Sequence, residues 1–137
     1  MQIWERYIPL VGRILLTAIF LLSGFMKLTH WSTTAAYMAS QGLPAASLLL
    51  AGAAFIEIVG GLCIVIGYQT RIAAILQFLF LIPVTLLFHN FWAAPAAQQQ
   101  DLMIHFWKNV GIMGGLLLLA ANGPGKLSLD ATRSKKA

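Results

Sequence analysis

Four long apolar runs, separated by shorter polar stretches, dominate the pattern along the chain. They cover about residues 7–26, 46–67, 71–90 and 102–121. Each run has roughly 20 residues, the length at which a helix rising about 1.5 Å per residue crosses a hydrocarbon core of ~30 Å. Helices are expected because a lone strand would leave its backbone groups unpaired in lipid. The pattern predicts an all-α membrane protein with four transmembrane helices in an antiparallel bundle.

The connections between the runs predict the rest of the architecture. Only "GYQT" joins the second and third runs, which predicts a tight antiparallel hairpin. The stretch "KLTHWSTTAAYMASQGLPAAS" predicts a short interfacial helix between the first two spans, capped by Ser32 and ended at Gly42. After the fourth run, "NGPGKLSLD" ends the helix, and residues 126–137 form a basic tail. We expect a single domain over residues 1–137.

Composition supports this interpretation and excludes several function classes. The chain is 59% hydrophobic and only 9% charged, whereas a soluble domain carries roughly 25% charged residues. The lipid bilayer is therefore the expected partner. The net charge of +5 lies near helix ends and in the tail, which indicates anionic headgroups and not nucleic acid. The single cysteine, Cys63, allows no disulfide, dithiol relay or thiolate zinc site.

The basic residues near the helix ends predict the orientation of the chain. Most of them fall on the side of the bundle that carries the two termini and the "GYQT" turn. They are Arg6, Arg71, Lys126, Arg133, Lys135 and Lys136. The distribution predicts an inner-membrane protein with both termini in the cytoplasm.

Several ionisable residues lie within or beside the apolar runs. Arg13, Glu57 and Lys108 are inside them, and Lys27 is near the end of the first. An embedded charge costs about 2.5–3.5 kcal/mol on insertion scales, so it normally faces the interior and has a partner. Glu57 is expected to pair with Arg13 or with Lys108. Three roles stay open at this point: an architectural ion pair, a polar pocket for a small ligand or quinone, or a proton path.

Helical spacing predicts which faces pack inside the bundle. In the first run, Arg13, Thr17, Phe20, Gly24 and Lys27 recur at intervals of four, three, four and three residues, which is one helical stripe. Small residues let membrane helices approach closely. They predict packing faces on the second and fourth helices at Gly60, Gly61, Gly111, Gly114 and Gly115.

His89, at the end of the third run, is the other candidate for chemistry. An imidazole there either hydrogen-bonds headgroups and loops, or exchanges a proton with a ligand near Lys108 and Asn109. The three histidines show no recognisable ligand spacing, so no metal site is predicted.

Five stretches, in order, resemble the DoxX family of small bacterial membrane proteins. They are "GRILLTAIFLLSGFMKL", "EIVGGLCIVIGYQTRIAA", "LLFHNFW", "KNVGIMGGLLLLA" and "GPGKLSLD". The resemblance implies a four-helix inner-membrane protein. The family takes its name from a thiosulfate:quinone oxidoreductase, and other members look like parts of oxidoreductase complexes tied to oxidative stress or quinone resistance. The family-typical positions are Arg13, Gly24, Lys27, Glu57, Gly60, Gly67, His89, Lys108, Asn109, Gly115, Ser128 and Asp130.

These observations together give one leading hypothesis and one alternative. The leading hypothesis is a protein associated with a membrane oxidoreductase that handles quinone, without a built-in cofactor and with electrons from a redox partner protein. Glu57 and His89 are its candidate catalytic residues, and its candidate ligand-binding residues are Arg13, Lys27, Lys108 and Asn109. The alternative is a non-enzymatic membrane anchor, an assembly subunit or a small-solute transporter, with a homo-oligomer needed for alternating access.

Overall fold

A computed structural model of the chain describes residues 2–134 and is helical apart from its turns. The elements are α1 (Gln2–Thr29), α2 (Trp31–Ser40), α3 (Ala46–Ile66), α4 (Thr70–Phe88), a 3₁₀ turn (Phe91–Ala93), α5 (Ala96–Asn122) and α6 (Leu129–Ser134). Four of them, α1, α3, α4 and α5, are long and apolar enough to cross a membrane. This confirms the predicted fold class, including the short helix α2 between the first two spans.

The four long helices pack in a fixed order. α1 packs on α3, α3 on α4 and α4 on α5, while α1 and α5 meet over a smaller surface. Gly67 closes the α3–α4 turn in the left-handed region, with φ +73°, which costs little for glycine. We call the end of the bundle that holds this turn the Arg13 end, and the opposite end the His89 end.

Some helix boundaries differ from the sequence prediction. α1 begins at Gln2 and α5 at Ala96, several residues before the apolar runs, because a helix need not stop at the membrane surface. Pro95, directly before α5 with φ −56°, suits a helix start. The predicted cap of α2 is wrong: the helix already begins at Trp31, so Ser32 lies inside it, and the N-cap makes no side-chain hydrogen bond.

The packing faces follow the prediction in α1 and depart from it in α5. Arg13, Thr17 and Phe20 are buried, which confirms the stripe on α1 as an interior face. A Cβ at Gly60 would lie 3.0 Å from Gln77 Nε2, so α3 and α4 approach closely there. On α5, Gly115 packs against Leu16 of α1, but a Cβ at Gly111 or Gly114 would meet nothing within 4 Å. The predicted packing role of those last two glycines is wrong.

Arg13 joins three parts of the chain at its end of the bundle. Its side chain is 1% exposed. Nη1 donates to the backbone carbonyls of Ile64 (3.0 Å) and Val65 (3.1 Å), and Nη2 donates to the carbonyl of Leu127. Carbonyls in the last turn of a helix lack partners within the helix. The guanidinium therefore satisfies the end of α3 and fixes the segment that follows α5.

Asp130 in that following segment caps α4 from a distance. Its carboxylate accepts hydrogen bonds from the amides of Gln69 (2.8 Å) and Thr70 (2.9 Å) and from the Thr70 hydroxyl (2.8 Å). The Asp130 amide donates to the Gly67 carbonyl at 2.8 Å. The predicted tail is thus held on the α3–α4 turn through Asp130, and residues 135–137 lie outside the described residues.

The same contacts set the ionisation of Asp130. Partial burial raises the pKa of this carboxyl, but the hydrogen bonds from Thr70 and Gln69, together with the charge of Arg133, outweigh it. The pKa of Asp130 therefore lies below its ordinary value. The carboxylate stabilises the fold above its unfolded pKa, and that contribution is lost as the pH falls through the lower folded pKa.

Asp130→Ala is expected to lower the free energy of unfolding by about 0.5–2 kcal/mol at neutral pH, as loss of a helix cap does. Thermal unfolding in detergent micelles measures the loss. Glu5→Ala, which removes an exposed carboxylate, is the control and should change stability less. The difference between Asp130→Ala and the parent should shrink towards strongly acidic pH. A difference that grows on acidification would contradict the capping role.

Candidate functional site

Glu57 forms an ion pair with Lys27. Lys27 Nζ lies 3.0 Å from Glu57 Oε1 and 2.9 Å from Oε2. Ser23, one helical turn before Lys27, donates its hydroxyl to Glu57 Oε1 at 3.1 Å and accepts a hydrogen bond from Lys27 Nζ at 2.6 Å. The Glu57 side chain is 7% exposed. The carboxylate in the apolar run is therefore both paired and hydrogen-bonded.

This geometry corrects the expected partner of Glu57, which is neither Arg13 nor Lys108. Side chains on a helix tilt towards its N-terminus. The long side chain of Lys27 therefore extends from the end of α1 back into the bundle, where it meets Glu57. Arg13 extends in the same direction along α1, which takes its guanidinium away from Glu57 and towards Ile64, Val65 and Leu127.

An apolar cavity of about 920 Å³ lies beside the Lys27–Glu57 pair, within the size range of ligand pockets. It occupies the half of the bundle towards the His89 end. The second half of α1, the first half of α3, the second half of α4 and the middle of α5 form its walls. Tyr37 and Met38 of α2 also line it, and the Tyr37 ring lies 5.8 Å from that of Phe88 on α4.

Most of the predicted site residues meet in this cavity. Glu57, His89, Lys27, Lys108 and Asn109 all line it. Arg13, predicted as ligand-binding, does not: its guanidinium is held by backbone carbonyls at the other end of the bundle. The predicted site residues therefore fall into two groups: those that line the pocket, and Arg13, which binds backbone carbonyls elsewhere in the bundle.

The histidines of the site are stacked on each other. The rings of His89 and His105 lie 5.4 Å apart at 18°, and His105 Nε2 is 3.7 Å from the Asp101 carboxylate. Nδ1 of His89 is buried and finds no hydrogen-bond partner among residues 2–134. A buried polar atom of this kind normally has a partner, and His89 is one of the residues that line the pocket.

Two polar side chains of the site were missed by sequence reasoning. Ser23 completes the Lys27–Glu57 pair, and its only signal was its position four residues before Lys27. Thr85 is buried and accepts a hydrogen bond from Asn109 Nδ2 at 3.0 Å. Nothing in the local sequence separates this threonine from the apolar residues around it.

The arrangement combines an apolar volume with a few hydrogen-bonding groups. Lys108 has no carboxylate within salt-bridge distance in the described part of the chain, so its ammonium is free to donate. Asn109 keeps its side-chain oxygen as an acceptor. Such a pocket can hold a largely apolar molecule and orient its oxygens by hydrogen bonds.

A four-span, all-α membrane protein with a polar cluster in an apolar internal pocket is the class defined by this fold and site. The chain belongs to the DoxX family, whose family model matches residues 8–90.

Curated relatives agree with this assignment. The chain is 38% identical over 121 residues to the Inner membrane protein YphA of Escherichia coli, covering 88% of this chain and 86% of the relative. It is 39% identical over 127 residues to the Inner membrane protein YqjF of the same organism, covering 93% and 92%. A match at 30% identity to the ER-derived vesicles protein ERV29 of Saccharomyces cerevisiae covers 92% of this chain but 34% of that protein. No solved structure matches. The chain is a multi-pass inner-membrane protein.

Lys27→Met is expected to destabilise the protein towards the low end of the ~3–5 kcal/mol found when a buried charge loses its partner. The reason is that Glu57 would be left unpaired. The double variant Lys27→Met/Glu57→Gln should recover part of the loss. Thermal unfolding in micelles measures both.

Lys126→Met provides a matched control, since Lys126 Nζ also lies 3.0 Å from a carboxylate, that of Glu5, but both side chains are exposed. An exposed pair contributes about 0–1 kcal/mol. If Lys27→Met cost no more than Lys126→Met, the interior pair would have no special structural role.

Proposed function

We propose that the cavity binds a quinone and that the protein is a component of a quinone-linked membrane redox process. One observation carries the proposal: an apolar cavity of about 920 Å³, between helices that span the membrane, has Lys27, Glu57, His89, Lys108 and Asn109 in its wall. Quinones are lipid-soluble rings with two carbonyl oxygens. They need an apolar slot with hydrogen-bond donors at the oxygens, and this cavity offers both.

The donors in the wall suit a quinone oxygen. The Lys108 ammonium has no carboxylate partner in the described part of the chain, and in this proposal the buried, unpartnered Nδ1 of His89 turns towards a quinone oxygen. Lys27 is held by Glu57 and Ser23, so it supplies a fixed positive charge next to the slot. In this proposal Lys108, His89 and Asn109 orient the ring, and the paired charges of Lys27 and Glu57 polarise it.

Reduction of a quinone to a quinol takes up two electrons and two protons. In this proposal Glu57 and His89 hand on the protons. The electrons come, in this proposal, from a redox partner protein or a second substrate, because the single Cys63 cannot form a dithiol relay. The chain's own residues bind the ring, exclude water from it and supply protons.

The charge distribution supports an orientation with both termini in the cytoplasm. Arg6, Arg71, Lys126 and Arg133 lie at the Arg13 end of the bundle, and basic residues are retained on the cytoplasmic side. Lys135 and Lys136, which belong to the same prediction, are outside the described residues. The quinone pocket then lies in the outer half of the membrane.

Cysteine labelling in intact cells tests this orientation. In a Cys63→Ala background, a cysteine replacing Ser40 should react with a membrane-impermeant maleimide from outside. A cysteine replacing Thr132 should react only after the cells are permeabilised. The reverse pattern would place the pocket in the inner half of the membrane.

Quinone bound to the protein after mild detergent purification tests the function itself. Organic extraction and mass spectrometry should find quinone in the parent protein. His89→Ala and Lys108→Met should retain less than about one tenth, the change expected from losing one hydrogen bond to a charged or buried partner. Lys126→Met, outside the pocket, should retain the parent amount.

The fold of each variant is checked by its elution in size-exclusion chromatography. If the parent carries no quinone and takes up none when it is added, the proposal is wrong, and the non-enzymatic alternative of an anchor or assembly subunit gains. If quinone binds but His89→Ala and Lys108→Met retain it fully, the ligand lies elsewhere in the bundle.

A further inference from the structure

The two sides of the pocket differ in chemistry. The wall formed by α1 and α5 carries the polar side chains Ser23, Lys27, His105, Lys108 and Asn109. Along α3 and α4 the lining is apolar except at Glu57 and at His89 directly after α4, and its apolar part includes Leu48, Leu49, Gly52, Pro83, Val84 and Leu87. The cavity therefore changes from polar to apolar across the bundle, as an amphiphilic ligand does along its length.

The apolar side of the cavity reaches the outer surface of the bundle. On α3 the buried stripe includes Leu50, Ala54 and Glu57. Gly52 follows Leu50 by two residues, a rotation of about 200° around the helix, so it faces away from the bundle interior. Gly52 nevertheless lines the same cavity as Glu57. A cavity that touches both positions passes between α3 and α4.

The packing of the α3–α4 hairpin explains this gap. Near the turn the two helices are in close contact, because Gly60 leaves room for Gln77. Within the hairpin, the cavity is lined by residues 48–57 of α3, by residues 80–88 of α4 and by His89 directly after it, which all lie far from the turn. Leu48 is 73% exposed and Leu87 46% exposed beside it. In a membrane the gap thus faces hydrocarbon, whereas α2 covers the end of the pocket.

We infer that the pocket takes a ligand with one long apolar tail, whose head lies at Lys27, Glu57 and Lys108 and whose tail leaves between α3 and α4 into the bilayer. This inference rests on the proposed quinone function and narrows it to tailed, lipid-soluble quinones. The tail replaces lipid in the gap, and the ring reaches the polar wall from the membrane without crossing α2.

Filling the gap separates tail binding from head binding. Gly52→Trp is designed to place an indole in the gap, and a Cβ at Gly52 meets nothing within 4 Å, so the side chain starts into open space. Gly111→Trp is the matched control: its Cβ also meets nothing within 4 Å, and Gly111 does not line the pocket. Gly52→Leu is a milder variant on the same face.

The probes are a decyl-substituted benzoquinone and the same benzoquinone without the chain, titrated against protein in nanodiscs. Gly52→Trp should weaken binding of the decyl compound about tenfold, since two excluded methylene groups suffice for that change. It should leave the chainless compound unchanged. Gly52→Leu should act in the same direction with a smaller loss, and Gly111→Trp should bind both like the parent.

Equal effects of Gly52→Trp on both probes, or none on either, would overturn the tail path while leaving quinone binding intact. If the parent binds neither probe, the proposed function fails, and a second measurement decides the tail path alone. Phospholipid with a diazirine at the end of one acyl chain is photolysed in the same nanodiscs. Labelling of Ala53 and Val84 inside the gap supports the path. Labelling confined to the lipid-facing Phe55 and Leu62 rejects it.

Discussion

The guanidinium of Arg13 is the contact on which the shape of this bundle depends. It lies almost fully buried and binds carbonyls at the end of α3 and in the segment after α5. The Ile64 carbonyl also accepts the Gly67 amide at 3.2 Å, but the second acceptor at the helix end, Val65, depends on the guanidinium, and an unpaired carbonyl is costly in an apolar medium. With one end closed in this way, and with Gly60 packed on Gln77 above it, the helices can separate towards the His89 end and enclose a cavity without the bundle coming apart.

The two cations on the inner face of α1 have different roles because of the direction in which helical side chains point. Both Arg13 and Lys27 extend towards the N-terminus of α1. Arg13 thereby reaches the edge of the apolar region, where backbone carbonyls at the end of α3 accept its hydrogen bonds, and Lys27 reaches its interior, where Glu57 lies. One helical stripe thus supplies the Arg13 contact that holds one end of the bundle together and, at the other end, the lysine in the wall of the pocket.

The sequence was sufficient to predict the fold class, but not the ion-pair and hydrogen-bond partners within the fold. Apolar runs of membrane-spanning length define four helices, and the spacing of Arg13, Thr17 and Phe20 defines an interior face. The position of a residue along a helix gives the depth of its Cα atom but not of its charged group. The predicted partner of Glu57 was therefore wrong. Lipid is as apolar as a neighbouring helix, so periodicity could not show that Gly111 faces outward. The capping role of Asp130 acts across 60 residues and leaves no local pattern.

The hydrogen bonds of Arg13 also have a consequence for the order in which the fold forms during synthesis. Arg13 leaves the ribosome 114 residues before its partner Leu127. Domains form as the chain emerges, so α1 enters the membrane while one of its buried hydrogen-bond acceptors has not yet been synthesised. The segment around Leu127 therefore joins α1 and α3 only after all four spans have been synthesised. Quality control that recognises an unpaired arginine within the membrane would, for this protein, distinguish chains that lack the segment around Leu127 from chains that have it.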